Sequence, residues 1–296
     1  WPGHRPGQYV RLGIAVDGIH HWRAYSLTSA PARADGCITI TPKLVTTGKV
    51  SPFLCSGVRP GAIVRLGGVE GTFVLPEPLP RRLLLLSAGS GITPIASMLR
   101  SIAGAGAIED VVHVHCARSP EAVIFGAELR ALSGRHAGYR LHEWITGERG
   151  RIHPAQLDAL CADWRERDAF LCGPSELTAA MGERWRSEGD PERLHFERFQ
   201  PDDHVGDGPR GAGGAIELCA SGIRAESDGE QPILQAAEQA GAELPYGCRM
   251  GICHSCVGRL RSGRVRDLRT GRVHGQPGEL LRTCVNAPEG AIEIDL

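Results

Sequence analysis

The stretch PYGCRMGICHSC, Pro245–Cys256, carries Cys248, Cys253 and Cys256 within nine residues, and 27 residues separate the last of them from Cys284. Four residues separate the first two cysteines and two separate the next pair. This is the C-x4-C-x2-C…C arrangement of a [2Fe–2S] cluster, in which one tight loop supplies three thiolates and a distant segment closes the cage. Gly247, Gly251 and their small neighbours let backbone N–H groups approach the sulfurs, where they stabilise charge and help set the potential. A structural zinc site is the alternative. Zinc ribbons pair two C-x2-C units, however, and this segment has one. The expected ligands are Cys248, Cys253, Cys256 and Cys284. Such spacing among the ten cysteines suits a reducing cytoplasm better than a disulfide framework.

Around that loop the pattern is mixed. Strand-like runs at Ala215–Ala220 and Ile223–Glu226 precede a helix-like Pro232–Ala240, and strands are expected at Val257–Leu260 and Ala291–Leu296. Strands around one helix predict a small α+β domain over residues 215–296. Residues 201–214, polar and rich in Gly and Pro, read as a linker.

Upstream, Arg82–Ser87 (RLLLLS) is a continuous apolar run, as a parallel strand buried on both faces requires. A glycine turn and a helix-like Pro94–Ala103 follow, then strand Val111–Cys116, helix Ala122–Leu132, strand Ala169–Cys172 and helix Glu176–Glu188. This alternation predicts a doubly wound, Rossmann-like α/β domain over residues 79–200. Its first turn reads Ser87-Ala88-Gly89-Ser90-Gly91-Ile92-Thr93-Pro94, a G-x-G-x-x-P loop opening a helix. Gly89 and Gly91 let the backbone approach a pyrophosphate, and Thr93 and Pro94 begin the helix whose N-terminus supplies a positive field. After the second strand stand Arg118 and Ser119, where the adenosine ribose of a dinucleotide belongs. An acidic residue there would suit the 2′-OH of NADH and an arginine the 2′-phosphate of NADPH, so NADPH is expected.

Residues 1–78 hold short strands at Gln8–Ile14, Trp22–Leu27, Cys37–Lys43 and Ile63–Leu66, which predicts an antiparallel barrel. The chain begins WPGHRPGQ, which reads as mid-domain sequence with no secretory signal. The expectation is a barrel completed by residues upstream of Trp1. Arg23, Tyr25, Ser26 and Leu27 line one strand: an arginine suits a phosphate through its paired donors, and an aromatic face suits a flat ring. Lys43 and the turn Gly48-Lys49-Val50-Ser51, where a helix is expected to begin, add a second anion-binding element.

Three resemblances join these readings. PYGCRMGICHSC resembles the plant-type ferredoxins, which implies a β-grasp fold and one-electron transfer. Arg23-Ala24-Tyr25-Ser26 resembles the R-x-Y-S motif of the ferredoxin–NADP reductase superfamily. That resemblance implies Tyr25 against the isoalloxazine ring, Ser26 near flavin N5 and Arg23 on a phosphate. Gly48, Val50 and Ser51 resemble the pyrophosphate turn of the FAD branch, so FAD is favoured over the FMN of the phthalate dioxygenase reductases. In the same superfamily, Leu171-Cys172-Gly173-Pro174 places the cysteine beside nicotinamide C4, and the aromatic residue of Glu197-Arg198-Phe199 approaches the flavin. Ser26, Cys172 and Phe199 are thus the expected catalytic contacts.

A nicotinamide gives two electrons as a hydride, whereas the cluster accepts one at a time, so a flavin must stand between them. Fusion in one chain raises the effective concentration for transfer. The formal net charge of −1 argues against a nucleic-acid partner, and no run of 18 apolar residues suggests a membrane span. The acceptor is a protein. Between the third and fourth ligands, the run Val257–Gly275 carries Arg259, Arg261, Arg264, Arg266, Arg269 and Arg272 against one acid, Asp267. That run predicts docking on an acidic acceptor or an anionic membrane face. GCRMGICHSCVGRL…VRDLRTG resembles the reductases of membrane-bound di-iron acyl-CoA desaturases, which implies fatty acid desaturation and a cytoplasmic enzyme peripheral to the membrane. The alternatives are a reductase for a Rieske-type dioxygenase or a phenylacetyl-CoA epoxidase, or a non-enzymatic redox-sensing subunit. His113 and His115 share one strand face and read as structural, as do Cys37, Cys55, Cys116, Cys161 and Cys219.

Overall fold

The computed structural model describes every residue except Pro2, Asp17, Gly18, Ala32, Ala34, Thr47, Lys49 and residues 200–210. Two compact units result: Trp1–Arg11 with Tyr25–Phe199, and Leu12–Ala24 with Gln200–Leu296. The linker reading falls mostly outside the described residues. Gly211 lies inside them, and its N–H donates to the Gly229 carbonyl at 2.9 Å.

The first strands are β1 (Tyr9–Val16), β2 (Ile19–Ser26) and β3 (Arg65–Glu70), joined in the order β2-β1-β3. Arg11 is tied to Glu70 at 2.7 Å. Cys37–Lys43 is not a strand. Among the described residues it meets its neighbours through one bridge, Ile40 to Leu27, a Thr28 N–H to Thr39 carbonyl bond of 2.8 Å and a Thr39 N–H to Ser29 hydroxyl bond of 3.2 Å. The Thr28 and Thr39 hydroxyls, 2.8 Å apart, take up contacts that a continuous ladder would make. The helix expected from Gly48 is also reduced to one turn, α1 (Val50–Pro52), followed by a wide turn at Phe53–Gly57.

The α/β domain follows the sequence pattern closely. Its sheet comprises β4 (Arg82–Ala88), β5 (Asp110–Ala117), β6 (Tyr139–Ile145), β7 (Asp168–Cys172) and β8 (Leu194–Glu197), all parallel, in the order β6-β5-β4-β7-β8. β6 and β8 escaped the sequence reading because charged and aromatic residues interrupt their apolar runs. Leu83 and Leu85 face a core with Ile92, Ile95, Met98 and Leu99 of α2 (Ile92–Gly104) and Leu129 of α3 (Gly126–Arg135). Leu84 and Leu86 face the opposite core, which also takes Trp144. The turn α4 (Thr146–Arg149) and the short α5 (Leu157–Leu160) precede α6 (Ser175–Glu188), which adds Met181 and Trp185 to that second core. The chain runs β4 to β6 toward one edge, then returns to β7 beside β4. This reversal opens a crevice at the carboxyl ends of β4 and β7, the usual ligand position in such sheets.

The last domain packs α7 (Ile233–Gln239) on one sheet. Its strands are β9 (Gly214–Leu218), β10 (Ile223–Ser227), β11 (Val257–Ser262), β14 (Leu280–Arg282) and β16 (Ile292–Asp295), in the order β10-β9-β16-β11-β14. A second small sheet runs β13-β12-β15, from β12 (Val265–Asp267), β13 (Val273–His274) and β15 (Asn286–Pro288). Ile216, Leu218, Ile233, Leu234, Leu260 and Ile294 fill the core between helix and sheet. No helix among the described residues is long and apolar enough to cross a membrane.

Candidate functional site

The cluster loop is held by its own backbone. Cys248 N–H donates to Cys253 Sγ at 3.1 Å, Cys253 N–H to Cys248 Sγ at 3.3 Å, and Met250 N–H to Cys248 Sγ at 3.4 Å. Gly251 N–H reaches across to Cys284 Sγ at 3.2 Å. Left-handed backbone at Arg249 (φ 55°) and His254 (φ 57°) turns these groups inward. The four sulfurs fall into two pairs. The Cys248 thiol holds Cys253 as a thiolate, pulling it down to about 5, and the Cys284 thiol does the same for Cys256, pulled down to about 6. Among the described residues no three His, Cys, Asp or Glu converge on one ion position. Two thiol pairs fit a centre of two irons, each with two protein thiolates, whereas zinc gathers its ligands about one point. The donor set therefore fits a [2Fe–2S] cluster.

The six arginines of the hairpin are not a bare cationic stripe. Arg261 pairs with Asp295 at 2.7 Å, Arg266 with Glu289 at 2.7 Å and Arg269 with Asp267 at 2.5 Å, while Arg259 donates to the Gly278 carbonyl at 3.1 Å. Only Asp267 among those acids lies within the run, so the sequence made the segment look more cationic than the fold leaves it. Arg264 and Arg272 stay exposed, with no carboxylate of the described residues within salt-bridge distance.

In the nicotinamide crevice, Gly91 sits so close to the end of β7 that a Cβ there would lie 2.1 Å from the Cys172 carbonyl oxygen. Only glycine lets the G-x-G-x-x-P loop close onto Cys172. Gly89 takes φ +53°, and the Thr93 hydroxyl donates to the Ser90 carbonyl at 2.9 Å, fixing the first turn of α2. Gly173 packs against Ala88, and Pro174 caps α6. Cys172 is fully buried, and burial first, then the neighbouring Glu197, pushes its thiol well above the ordinary range.

Glu197 was missed in the sequence, where it reads as one more charged residue on a strand. It is the register partner of Cys172 across β7 and β8. Its Oε2 is buried without a hydrogen bond, and burial pushes its carboxyl up to about 8. Phe199, two residues on, is 37% exposed.

Arg118 is exposed beyond β5, and its carbonyl accepts from Gly147 N–H at 3.0 Å. The Thr146 hydroxyl donates to the Ala117 carbonyl at 3.2 Å, so the turns after β5 and β6 are zipped together. This brings in a second arginine that the sequence reading passed over. Arg149 lies 5.3 Å over the Trp144 ring, and the Trp144 indole N–H donates to the Gly150 carbonyl at 2.9 Å. Ser119, by contrast, is turned to Glu121, whose carboxylate its hydroxyl holds below the usual range.

On the barrel, Ser26 and Leu27 are buried and Tyr25 is half-buried. The Arg23 guanidinium donates to the Trp22 carbonyl at 2.8 Å and lies 3.5 Å from the Tyr246 carbonyl, both within the second unit. Ser51 closes its own turn, accepting from Val45 N–H at 3.0 Å, while Lys43 is exposed and Lys49 lies outside the described residues.

The chain belongs to the ferredoxin reductase-type oxidoreductases that join a flavin domain, a nicotinamide domain and a plant-type iron–sulfur domain. It is an NAD(P)H-dependent enzyme using FAD and a [2Fe–2S] cluster. Residues 3–75 match the oxidoreductase FAD-binding domain, 85–183 the oxidoreductase NAD-binding domain and 216–289 the 2Fe-2S iron-sulfur cluster binding domain. An NADPH oxidoreductase of Mycobacterium tuberculosis is 45% identical over 295 residues, covering 99% of this chain and 77% of the relative. The stachydrine N-demethylase reductase subunit of Rhizobium meliloti is 30% identical over 314 residues, covering 99% and 88%. The solved structure of phthalate dioxygenase reductase is 22% identical with a TM-score of 0.60, covers 97% of this chain and 87% of that one, and shares its fold.

Proposed function

We propose that this chain carries electrons from NADPH through FAD and the [2Fe–2S] cluster to an oxygenase component. The observation that carries the proposal is one polypeptide with a Cys172-gated nicotinamide crevice and a paired-thiol cluster loop. A relative that is the reductase subunit of a glycine betaine monooxygenase supports an oxygenase acceptor over a membrane desaturase. Domain limits of 1–78, 79–200 and 215–296 follow from the same reading.

The FAD supplies the two-to-one electron conversion when bound. Tyr25 would carry its ring, Ser26 would hydrogen-bond near N5, and Gly48, Val50 and Ser51 would hold the pyrophosphate. In the crevice Gly89, Gly91 and the start of α2 receive the pyrophosphate, while Gly173 and Pro174 fix the floor. Cys172 excludes water from the hydride path, and Phe199 shields its flavin side. Glu197 holds a proton at its buried carboxyl up to about pH 8; with that proton released to bulk water, its carboxylate would balance the positive charge that hydride departure leaves on a bound nicotinamide. Arg118 and Arg149, both without a carboxylate partner, favour a 2′-phosphate and hence NADPH over NADH. Glu121 takes Ser119 out of that role.

Two experiments test the proposal. Holoprotein should hold two irons and two labile sulfides, and Cys248→Ser should abolish cytochrome c reduction while ferricyanide reduction through the flavin persists. Zinc in protein purified anaerobically would overturn the cluster. For the acceptor, the holoprotein with NADPH should drive a Rieske-type oxygenase. Rates should fall with salt and with Arg264→Glu plus Arg272→Glu, the two hairpin arginines without a carboxylate partner. Desaturation of stearoyl-CoA by desaturase membranes, beside an idle oxygenase, would reverse the choice of partner.

A further inference from the structure

Arg269, although 38% exposed on the hairpin, also reaches the cluster loop. Leu268 N–H donates to the Val285 carbonyl at 2.9 Å, and Asp267 stands in register with Asn286 on β15. That pairing draws residues 267–269 alongside the segment that begins at Cys284. The Arg269 guanidinium turns its Nε and one Nη to Asp267, at 3.1 and 2.5 Å, and the Asp267 carboxylate also accepts from Arg269 N–H at 2.9 Å. The other Nη points at Gly251, 3.0 Å from where a Cβ would stand. Gly251 is the residue whose N–H bonds Cys284 Sγ, and Arg282 holds its carbonyl at 2.9 Å. The cation also lies within electrostatic reach of the Cys284 and Cys248 sulfurs, one from each pair. Asp267 itself is 7% exposed, so its counter-charge is poorly screened by water.

We infer that the Arg269–Asp267 pair sets the reduction potential of the cluster, with Arg269 raising it and Asp267 moderating Arg269. The inference rests on the cluster reading above. Reduction adds one negative charge to the four-thiolate site. A nearby cation stabilises that charge and a nearby anion opposes it. The two side chains therefore act in opposite directions, which a purely structural turn would not do.

The test is a redox titration of holoprotein followed by the paramagnetic signal of the reduced cluster, with iron and labile sulfide measured first. Arg269→Gln leaves the buried Asp267 anion unopposed, and should lower the reduction equilibrium constant about tenfold, 59 mV for a one-electron couple. Asp267→Asn should shift it upward, and the double variant should return toward the parent value. Arg269→Lys keeps the charge without the planar fork and should hold the parent potential. Shifts in the same direction for Arg269→Gln and Asp267→Asn, or no shift in either at full iron content, overturn the inference. If Arg269→Gln fails to load iron, the upward shift of Asp267→Asn decides. Absence of a reducible [2Fe–2S] signal in the parent protein would instead overturn the cluster reading.

Discussion

The two ends of the parallel sheet treat charge in opposite ways. At the amino ends of β4, β5 and β7, acids and bases are paired. Arg167, 1% exposed, holds Asp110 and Asp163 at 2.8 Å each and donates to the Leu83 carbonyl at 3.2 Å. Arg82 meets Glu166 at 2.6 Å, Arg140 meets Asp110 at 2.6 Å, and Arg193 reaches Asp168 at 3.4 Å. At the carboxyl ends the groups are left wanting. Among the described residues, Glu197 is buried with an orphan oxygen, Cys172 has no base to ionise it, and Arg118 and Arg149 have no acid within salt-bridge distance. A cavity of about 540 Å³, lined by Arg82, Glu109, Asp110, Glu166, Asp168 and Arg193, opens at the amino end. Its charges are already satisfied by one another, so this hollow lies away from the chemistry. Unmet charge marks the working end of this sheet, and met charge marks the end that holds it together.

The comparison predicts that the two ends fail differently. Arg167→Met should destabilise the protein by about 3 kcal/mol, the lower end for breaking a buried ion pair, because Asp110 and Asp163 remain 34% and 36% exposed. Thermal unfolding would show the loss, and KM for NADPH at 20 °C should stay at the parent value. Arg82→Met, at a half-exposed pair, should cost under about 1 kcal/mol. Equal losses in the two variants would mean that burial is not what distinguishes Arg167.

Next in size is the selectivity of the carboxyl end. Arg118→Ala with Arg149→Ala should raise KM for NADPH about a hundredfold, from about 1.4 kcal/mol for each charged hydrogen bond lost. KM for NADH should hardly move, and melting temperature should stay constant because neither arginine has an acid to abandon. A parallel rise for both nicotinamides would assign the arginines to the shared pyrophosphate instead.

How much of this was legible in the sequence depends on how far apart the cooperating residues lie. The cluster ligands were legible because three share one loop, so spacing alone reports geometry. The β4 strand and its glycine turn were legible for a similar reason, with apolar run and punctuation adjacent. Arg167 and Asp110 are 57 residues apart and meet only because β5 and β7 flank β4. Arg149 became a neighbour of Arg118 only through the pairing of the turns after β5 and β6. Glu197 carries no local sign at all: strand register against Cys172 makes it special. Cys37–Lys43 misled in the other direction, since its alternation of small and apolar residues suits a strand, yet it forms one bridge.

A smaller effect tests whether the orphan carboxyl at the working end takes part in the reaction. Hydride departure makes the nicotinamide cationic, and an ionised Glu197 beside Cys172 would stabilise that charge. Flavin reduction by NADPH, followed by stopped flow, should therefore speed up about tenfold as pH rises through about 8. Glu197→Gln should show the low-pH rate throughout. A variant that keeps the break near that pH would exclude Glu197 as its source.

The smallest expected effect is on stability, and it joins Glu197 to a buried chain on the neighbouring strands. The Ser87 hydroxyl lies 2.8 Å from His113 Nε2 and 2.8 Å from His115 Nδ1, while His113 Nδ1 lies 2.7 Å from the Tyr139 hydroxyl. One hydroxyl proton serves only one histidine, so the other must donate its own N–H to Ser87. Burial pushes His115 down to about 4 and His113 well below its ordinary value, so both stay neutral in the folded protein. Between about pH 4 and 6.5 the unfolded chain binds protons on these histidines that the folded chain refuses, so stability rises with pH. Glu197 acts in the other sense. Its folded carboxyl keeps a proton up to about 8, whereas the unfolded one loses it near the ordinary 4.5, so in that window stability falls as pH rises. His142 adds to the acid-side rise, and Cys253 and Cys256, whose thiols are held low in the fold, add a rise of their own above it. The contribution of Glu197 is therefore read, from urea midpoints, as a difference from its own variant: between about pH 4.5 and 8 the stability of the parent should fall relative to that of Glu197→Gln, by at most about 1.4 kcal/mol per pH unit. His115→Gln should make the rise between about pH 4 and 6.5 shallower. If the difference between the parent and Glu197→Gln stays constant from about pH 4.5 to 8, the carboxyl is not protonated in the folded protein, and the proton it is proposed to release is not there.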